Sequence, residues 1–487
     1  MKLIKQILSI FFLVWALSSC KKDLLDINVD PNNPTTASAS PSLVLSNALN
    51  TTAGIYNNAT TGNSNFVFAG LWLGHISYSG NYAIATENVT YALTNNFASG
   101  AFANLYDNIE DYDFVSKGNS FYKAIGILMK AYNFQTLVDL YNNVPYTQAL
   151  QGTGNSKPAY DNGKDIYADL AKQMDTAINI FKTSAASIAI TGDIMFNGNA
   201  TKWLQFANTV KLRLLLRQSE VNGAPAKTQA AAISGGFLTT DATVNPGYLN
   251  SAGKTNPFWG SNINTTGTYT QDLYRGGQYA ITFFQNNNDP RLSSFYTTIG
   301  GDTSKKTYAG NYFGDQGIQN SKTSQIGPGV LKAFSQSAVV ILAAESYFLQ
   351  SEAALRGWIP GDPKDLYQKG VTASFTYLGL SAAQSTAYYS LPGNKQTNWD
   401  ATTTFQEKLA LIIRQKWAAE TWINELEPYN DYRRLHLPAD VPLSTSPFST
   451  GIFPNRLLYP QREYDVNGTN VLGQGTITPG TKVWWMP

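Results

Sequence analysis

Cysteine is almost missing from this chain: 487 residues hold one, Cys20. With none after it, a disulfide framework, a thiolate metal site and a thiol nucleophile are excluded from the rest of the sequence. Histidine is nearly as scarce, with His75 and His436 alone. A Ser-His-Asp triad would need one of them, and neither stands in a context that presents a nucleophile. No GxSxG, HExxH or GxxxxGK occurs. Two imidazoles without a thiolate make a poor transition-metal set, and no cofactor is expected. Both histidines read as structural or surface residues. Charge is also thin, at 14% of residues, where about 25% is usual. The formal net charge of +2 falls to 0 once Lys2 and Lys5 are removed with the leader described below. That leaves no basic footprint for nucleic acid.

Where the one cysteine stands is informative. Lys2 and Lys5 precede an apolar run from Ile7 to Leu17 that only Ser9 interrupts. Such a run fits the core of a secretion signal and falls short of the roughly 20 residues a membrane-spanning helix needs. Leu17-Ser18-Ser19-Cys20 then has the pattern of a bacterial lipobox, in which the sulfur receives a diacylglycerol. Residues 1–19 therefore read as a lipoprotein signal, with Cys20 as the acylated residue that anchors the chain to a membrane. Residues 20–40, rich in Pro, Asn, Ser and Thr, read as a tether. Twenty flexible residues span roughly 25 Å, enough to hold a folded body off a membrane surface.

From residue 41 onward the spacing of apolar residues predicts a mainly α domain. Ser42 can cap a first helix carrying Leu45 and Leu49. Residues 97–141 predict two helices, with Phe102, Leu105 and Ile109 on one stripe and Phe121, Ile125, Leu128 and Tyr132 on the next. Ile166, Leu170, Ile178 and Phe181 mark another. Residues 200–217 are apolar on almost every side and should be buried. Helical pattern returns at 336–356, 363–379 and 404–426, with a short helix at Asn430–Leu435. Paired helices of this kind suggest a tetratricopeptide-like helical-hairpin scaffold, about 42–235 and 331–436. Residues 236–330 and 437–487 lose the period and predict a large, irregular, loop-rich face, which in a folded body is usually functional.

Two sets of residues stand out. Glu345 and Glu352 are seven positions apart, about two turns and roughly 10 Å along one helix face. That would suit a glycosidase, which needs two carboxylates about 5–10 Å apart. The structural alternative pairs them with Arg213 and Arg217, four apart on the buried 200–217 helix, as cross-scaffold ion pairs. The second set is aromatic. Trp72, Tyr78, Tyr82 and Tyr91 in one aperiodic stretch, and Trp259, Tyr269, Tyr274 and Tyr312 in another, alternate with Asn, Thr, Gln and Gly. Rings that stack and amides that hydrogen-bond make a surface for sugars, or for an extended peptide. Tyr78, Tyr82, Trp259 and Tyr274 are the expected ligand contacts; otherwise these rings pack beneath the loops.

The motifs in order resemble one family. They are Cys20 followed by KKDLLDINVDPNNP, then DLYNNVPYTQAL at 139–150, TKWLQFANTVKLRLLLR at 201–217 and NNDPRL at 287–292. AESYFLQSEAALRGW follows at 344–358, EKLALIIRQKWAAETW at 407–422, YNDYRRLHLP at 429–438, RLLYPQRE at 456–463 and KVWW at 482–485. Together they resemble the SusD/RagB-like (SusD-like) outer-membrane lipoproteins of Bacteroidetes. The chain departs from them in having Glu427-Pro428-Tyr429 where the family usually has Glu followed closely by Trp. The resemblance implies a lipid-anchored protein facing the exterior of the outer membrane. It would capture an oligosaccharide, or in some members an oligopeptide, for a SusC-like TonB-dependent transporter. The family's ligand contacts vary and lie outside these motifs, so none carries over by position. The competing expectations are a surface glycoside hydrolase and a lipoprotein without a ligand.

Overall fold

The computed structural model describes residues 39–57, 66–80, 82–301, 304, 307–316 and 319–487. The leader, Cys20 and the tether as far as residue 38 lie outside the described residues. Among the described residues no helix is long and apolar enough to cross a membrane.

The scaffold begins with α1 (Pro41–Tyr56). Its cap is Ser40 and not Ser42: Pro41 fits the first helical position, where its missing N–H costs nothing, and the Ser40 hydroxyl accepts from the Leu43 amide at 3.4 Å. Then come α2 (Ser99–Val115), α3 (Ser120–Tyr141), α4 (Gly163–Thr183) and α5 (Ala200–Arg217). Asn119, Asn162 and Asn199 cap the last three through their side-chain oxygens. Each helix packs on the next, so the first half is a run of helical hairpins. Gly126 on α3 allows one of the closest approaches, because a Cβ there would lie 2.6 Å from the Tyr112 carbonyl oxygen of α2.

The second half holds α6 (Ala343–Leu355), α7 (Pro363–Tyr377), α8 (Ala382–Tyr389), α9 (Phe405–Glu420) and α10 (Leu426–Leu435). α6 packs on α7, α7 on α8, and α9 on α6. α5 joins the halves by packing on α6 and α3, and every residue from Phe206 to Arg217 is buried. The fold is mainly α and tetratricopeptide-like.

Two helical expectations are corrected. The 336–356 segment is a strand followed by a helix: Ala338–Ile341 carries the β-branched run Val339-Val340-Ile341, and it pairs antiparallel with Ala242–Val244. The 404–426 segment breaks after Glu420, where Trp422 takes a left-handed φ of 63°. Its last residue instead opens α10.

Among the described residues three two-stranded antiparallel ribbons form, two of them joining distant parts of the chain. β1 (Ile76–Tyr78) pairs with β5 (Tyr274–Gly276), β2 (Val144–Pro145) with β3 (Tyr160–Asp161), and β4 (Ala242–Val244) with β6 (Ala338–Ile341). The stretch 236–330 is less irregular than its composition predicts, for it also carries short helices at Pro257–Asn262, Gln278–Asn286 and Leu292–Phe295. These are too short for a period to show in sequence.

Candidate functional site

The β1–β5 ribbon builds the site. Its register sets Tyr78 opposite Tyr274, and their rings lie 5.6 Å apart. Tyr82, four residues beyond Tyr78, brings its ring to 4.9 Å from Tyr78. Gly277, just past β5, lets the backbones meet, since a Cβ there would fall 2.1 Å from the Gly74 carbonyl oxygen. The three tyrosines line an open cleft of about 630 Å³ together with Phe97, Glu87, Asn88 and Asn96, and with small residues such as Ala83 and Ala85.

Each ring is held from behind. Tyr78, Tyr82 and Tyr274 are 8%, 9% and 6% exposed, so each offers a small part of its surface and is fixed by packing. The Tyr78 hydroxyl accepts from Asn88 Nδ2 at 2.8 Å, and the Tyr82 hydroxyl donates to the Asp315 carbonyl. Burial pushes the Tyr78 phenol well above its usual value and that of Tyr82 up to about 12. Both remain neutral donors at physiological pH. Glu87 is fixed too: its oxygens accept from the Thr94 amide and hydroxyl, both at 2.9 Å.

The other aromatics go elsewhere. Trp259 does not line this cleft; it sits half-buried on the Pro257–Asn262 helix, packed against the core. It is anchored there because Asn256 caps that helix through the Trp259 amide at 3.0 Å. Trp72 and Tyr91 are buried beneath the loops, Trp72 stacked on Phe97 at 5.9 Å. Tyr269 lies against the Arg275 guanidinium at 5.4 Å, and Tyr312 is exposed away from the cleft lining. Sequence reasoning missed Glu87, Asn88, Asn96 and Phe97. Their signal was proximity to Tyr78 and Tyr82 in the same aperiodic stretch.

Glu345 and Glu352 are far from any such surface, 0% and 1% exposed inside the scaffold. A buried position does not suit the acid/base pair their spacing allows. Arg213 reaches Glu345 at 3.4 Å and lies 4.6 Å over the Tyr132 ring. Arg217 and Glu352 have other partners. Arg217 makes a bond of 2.7 Å to Glu427, and Glu352 takes a two-pronged contact of 2.6 and 2.7 Å from Arg434. Lys416 on α9 reaches Asp431 at 3.0 Å and Glu427 at 3.6 Å. The result is one buried ionic network across α5, α6, α9 and α10. Burial would raise the Glu427 carboxyl, but Arg217, Arg213 and Lys416 outweigh it and hold it well below the usual range. Burial likewise opposes Glu352, and Arg434 and Arg356 bring it down to about 2.

His75 belongs to this interior as well. Its Nδ1 meets Glu425 Oε2 at 2.5 Å and its ring lies 4.4 Å from that of Trp417. His436 is the left-handed residue that ends α10. Among the described residues no cluster of His, Cys, Asp and Glu could hold a metal ion.

The helical-hairpin scaffold defines a class of mainly α protein, and solved structures of that class superpose on this chain. A chitin-binding SusD homolog from Flavobacterium johnsoniae is 25% identical with a TM-score of 0.74, over 91% of this chain and 98% of its own. A SusD-like protein from Bacteroides thetaiotaomicron is 26% identical with a TM-score of 0.73, over the same shares, 91% and 98%. A SusD homolog from Bacteroides uniformis is 23% identical with a TM-score of 0.72, over 91% and 99%. No curated protein matches the chain. The SusD-like family model, described as starch-binding and associating with the outer membrane, matches residues 31–460. The chain belongs to this SusD-like family of outer-membrane carbohydrate-binding proteins.

Proposed function

We propose that this protein captures an oligosaccharide at the cell surface, without hydrolysing it, and delivers it to a SusC-like TonB-dependent transporter in the outer membrane. The observation that carries the reading is the cleft in which Tyr78, Tyr82 and Tyr274 converge from two distant loops. The rings pack on one another at 4.9 and 5.6 Å and so form one aromatic wall of the cleft. Sugar C–H groups pack on aromatic side chains, while Asn96 offers hydrogen bonds to hydroxyls. The chitin-binding homolog from Flavobacterium johnsoniae supports a glycan over a peptide. Among the described lining residues Glu87 is the one carboxylate, where hydrolysis needs two.

The test is calorimetry of the purified protein with malto-oligosaccharides, chito-oligosaccharides and oligopeptides. Glycan binding without cleavage is expected. Binding of peptides alone would replace the glycan by an oligopeptide, and cleavage of a bound sugar would make the protein a hydrolase. Tyr82→Ala and Tyr274→Ala should each weaken binding about tenfold or more, as central aromatic anchors do. Melting temperature is read in parallel, and a Tyr82→Phe variant separates the ring from its hydroxyl. Unchanged affinity in both alanine variants would place the ligand elsewhere.

The membrane part of the reading rests on Leu17-Ser18-Ser19-Cys20. Cys20→Ala should release the protein from membranes or leave the precursor uncut. Normal processing and normal sedimentation with the outer membrane would remove the anchor.

A further inference from the structure

We infer that the Tyr78 cleft selects uncharged or amino-bearing saccharides and rejects acidic ones, with Glu87 as the residue that sets this preference. The inference rests on the saccharide-binding reading of the cleft and narrows it to a class. Among the described lining residues there is no Lys or Arg, and Glu87 is the one acidic side chain. The Thr94 amide and hydroxyl hold its two oxygens, each at 2.9 Å. It has no cationic partner among the described residues to neutralise it.

The nearest guanidinium along the ribbon is Arg275, between Tyr274 and Gly276. Strand alternation turns it to the opposite face. There it is 2% exposed and paired with Asp272 at 2.9 Å. A uronate or sulfate group entering the cleft would therefore meet a like charge with no counter-charge among the described lining residues. A neutral sugar avoids that penalty, and the ammonium of a deacetylated amino sugar gains from Glu87.

The experiment uses chitotetraose and maltotetraose, each against its C6-oxidised, carboxylate-bearing form, with fully deacetylated chitotetraose as the cationic probe. At low salt the carboxylated form should bind roughly tenfold more weakly than its neutral parent, as a like charge at close range implies. The gap should narrow with added salt. Glu87→Gln should largely close it, and Glu87→Lys should reverse it, with the melting temperature of each variant showing that the fold is retained. Equal binding of the two forms, or a gap that Glu87→Gln leaves intact, overturns this inference alone. Binding of no probe overturns the saccharide reading of the cleft and this inference with it.

Discussion

Glu427→Ala is expected to lower stability by about 3–5 kcal/mol, the usual cost of stranding a buried charge. Glu427 is 4% exposed and receives Arg217 at 2.7 Å, Lys416 at 3.6 Å and Arg213 at 3.8 Å. Its removal leaves three buried cations with less negative charge among them, on two helices from opposite halves of the fold. Arg217 would keep Asp139 at 3.4 Å and Lys416 would keep Asp431, so the loss is partial. The contrast is Asp365→Ala, which breaks a pair with Lys369 whose side chains are each 53% exposed. That pair is worth about 0–1 kcal/mol. The same geometry sets an acid limit. A carboxyl whose value is lowered by folding stabilises above its unfolded value and loses that contribution as pH falls toward the folded one. Glu427 and Glu352 should thus make the wild type fail steeply in acid, below about pH 4.3. Glu427→Ala should be less steep there. Thermal melts of the two alanine variants against wild type at neutral and acid pH decide it. Equal losses from Glu427→Ala and Asp365→Ala would mean the network does not hold the halves together.

What the sequence made legible follows from the range of each interaction. The period of Phe121, Ile125, Leu128 and Tyr132 announced α3, and the all-round apolar character of 200–217 announced a buried α5, because both depend on neighbours within one helix. The ribbon joining Ile76–Tyr78 to Tyr274–Gly276 was not visible, since nothing local in either triplet names a partner about two hundred residues away. The cleft tyrosines could be chosen as rings uncommitted to a helix stripe, yet the same criterion chose Trp259, which a local helix packs half-buried against the core, away from the cleft. Composition separates loop aromatics from stripe aromatics; it does not say which way a loop turns. The charge network shows the same limit. Arg213, Arg217, Glu345 and Glu352 stood out on apolar helices, but Glu427 and Asp431 lay in the polar run around Tyr429-Asn430-Asp431. There a buried charge looks like a solvated one. The spacing of Glu427, Asp431 and Arg434, four and three apart, was the available sign that they share a helix face.

One member of the interior should make stability fall as pH rises. Glu420, at the end of α9, is fully buried, and neither of its carboxyl oxygens has a hydrogen-bond partner among the described residues. Burial raises its value well above the usual carboxyl range, and the neighbouring Glu345, Glu427 and Glu425 add to this against the single pull of Lys416. Glu345 is raised as well, by burial first, yet it has Arg213 at 3.4 Å. The proton therefore sits on Glu420. A carboxyl raised by folding stabilises below its unfolded value, about 4.3, and loses that contribution as pH climbs toward the folded one. Folding takes up a proton in that window, so stability should decline by up to about 1.4 kcal/mol per pH unit. Glu420→Gln has no proton to hold and should decline less between roughly pH 5.5 and pH 8. Glu345→Gln should instead lose stability at both pH values, by weakening the hold on Arg213, and soften the slope only in part, because burial still raises Glu420. Denaturant titrations of the three proteins at the two pH values give the answer. Parallel curves for wild type and Glu420→Gln would show that Glu420 is ionised in the folded state, and a slope abolished in Glu345→Gln alone would move the proton to Glu345.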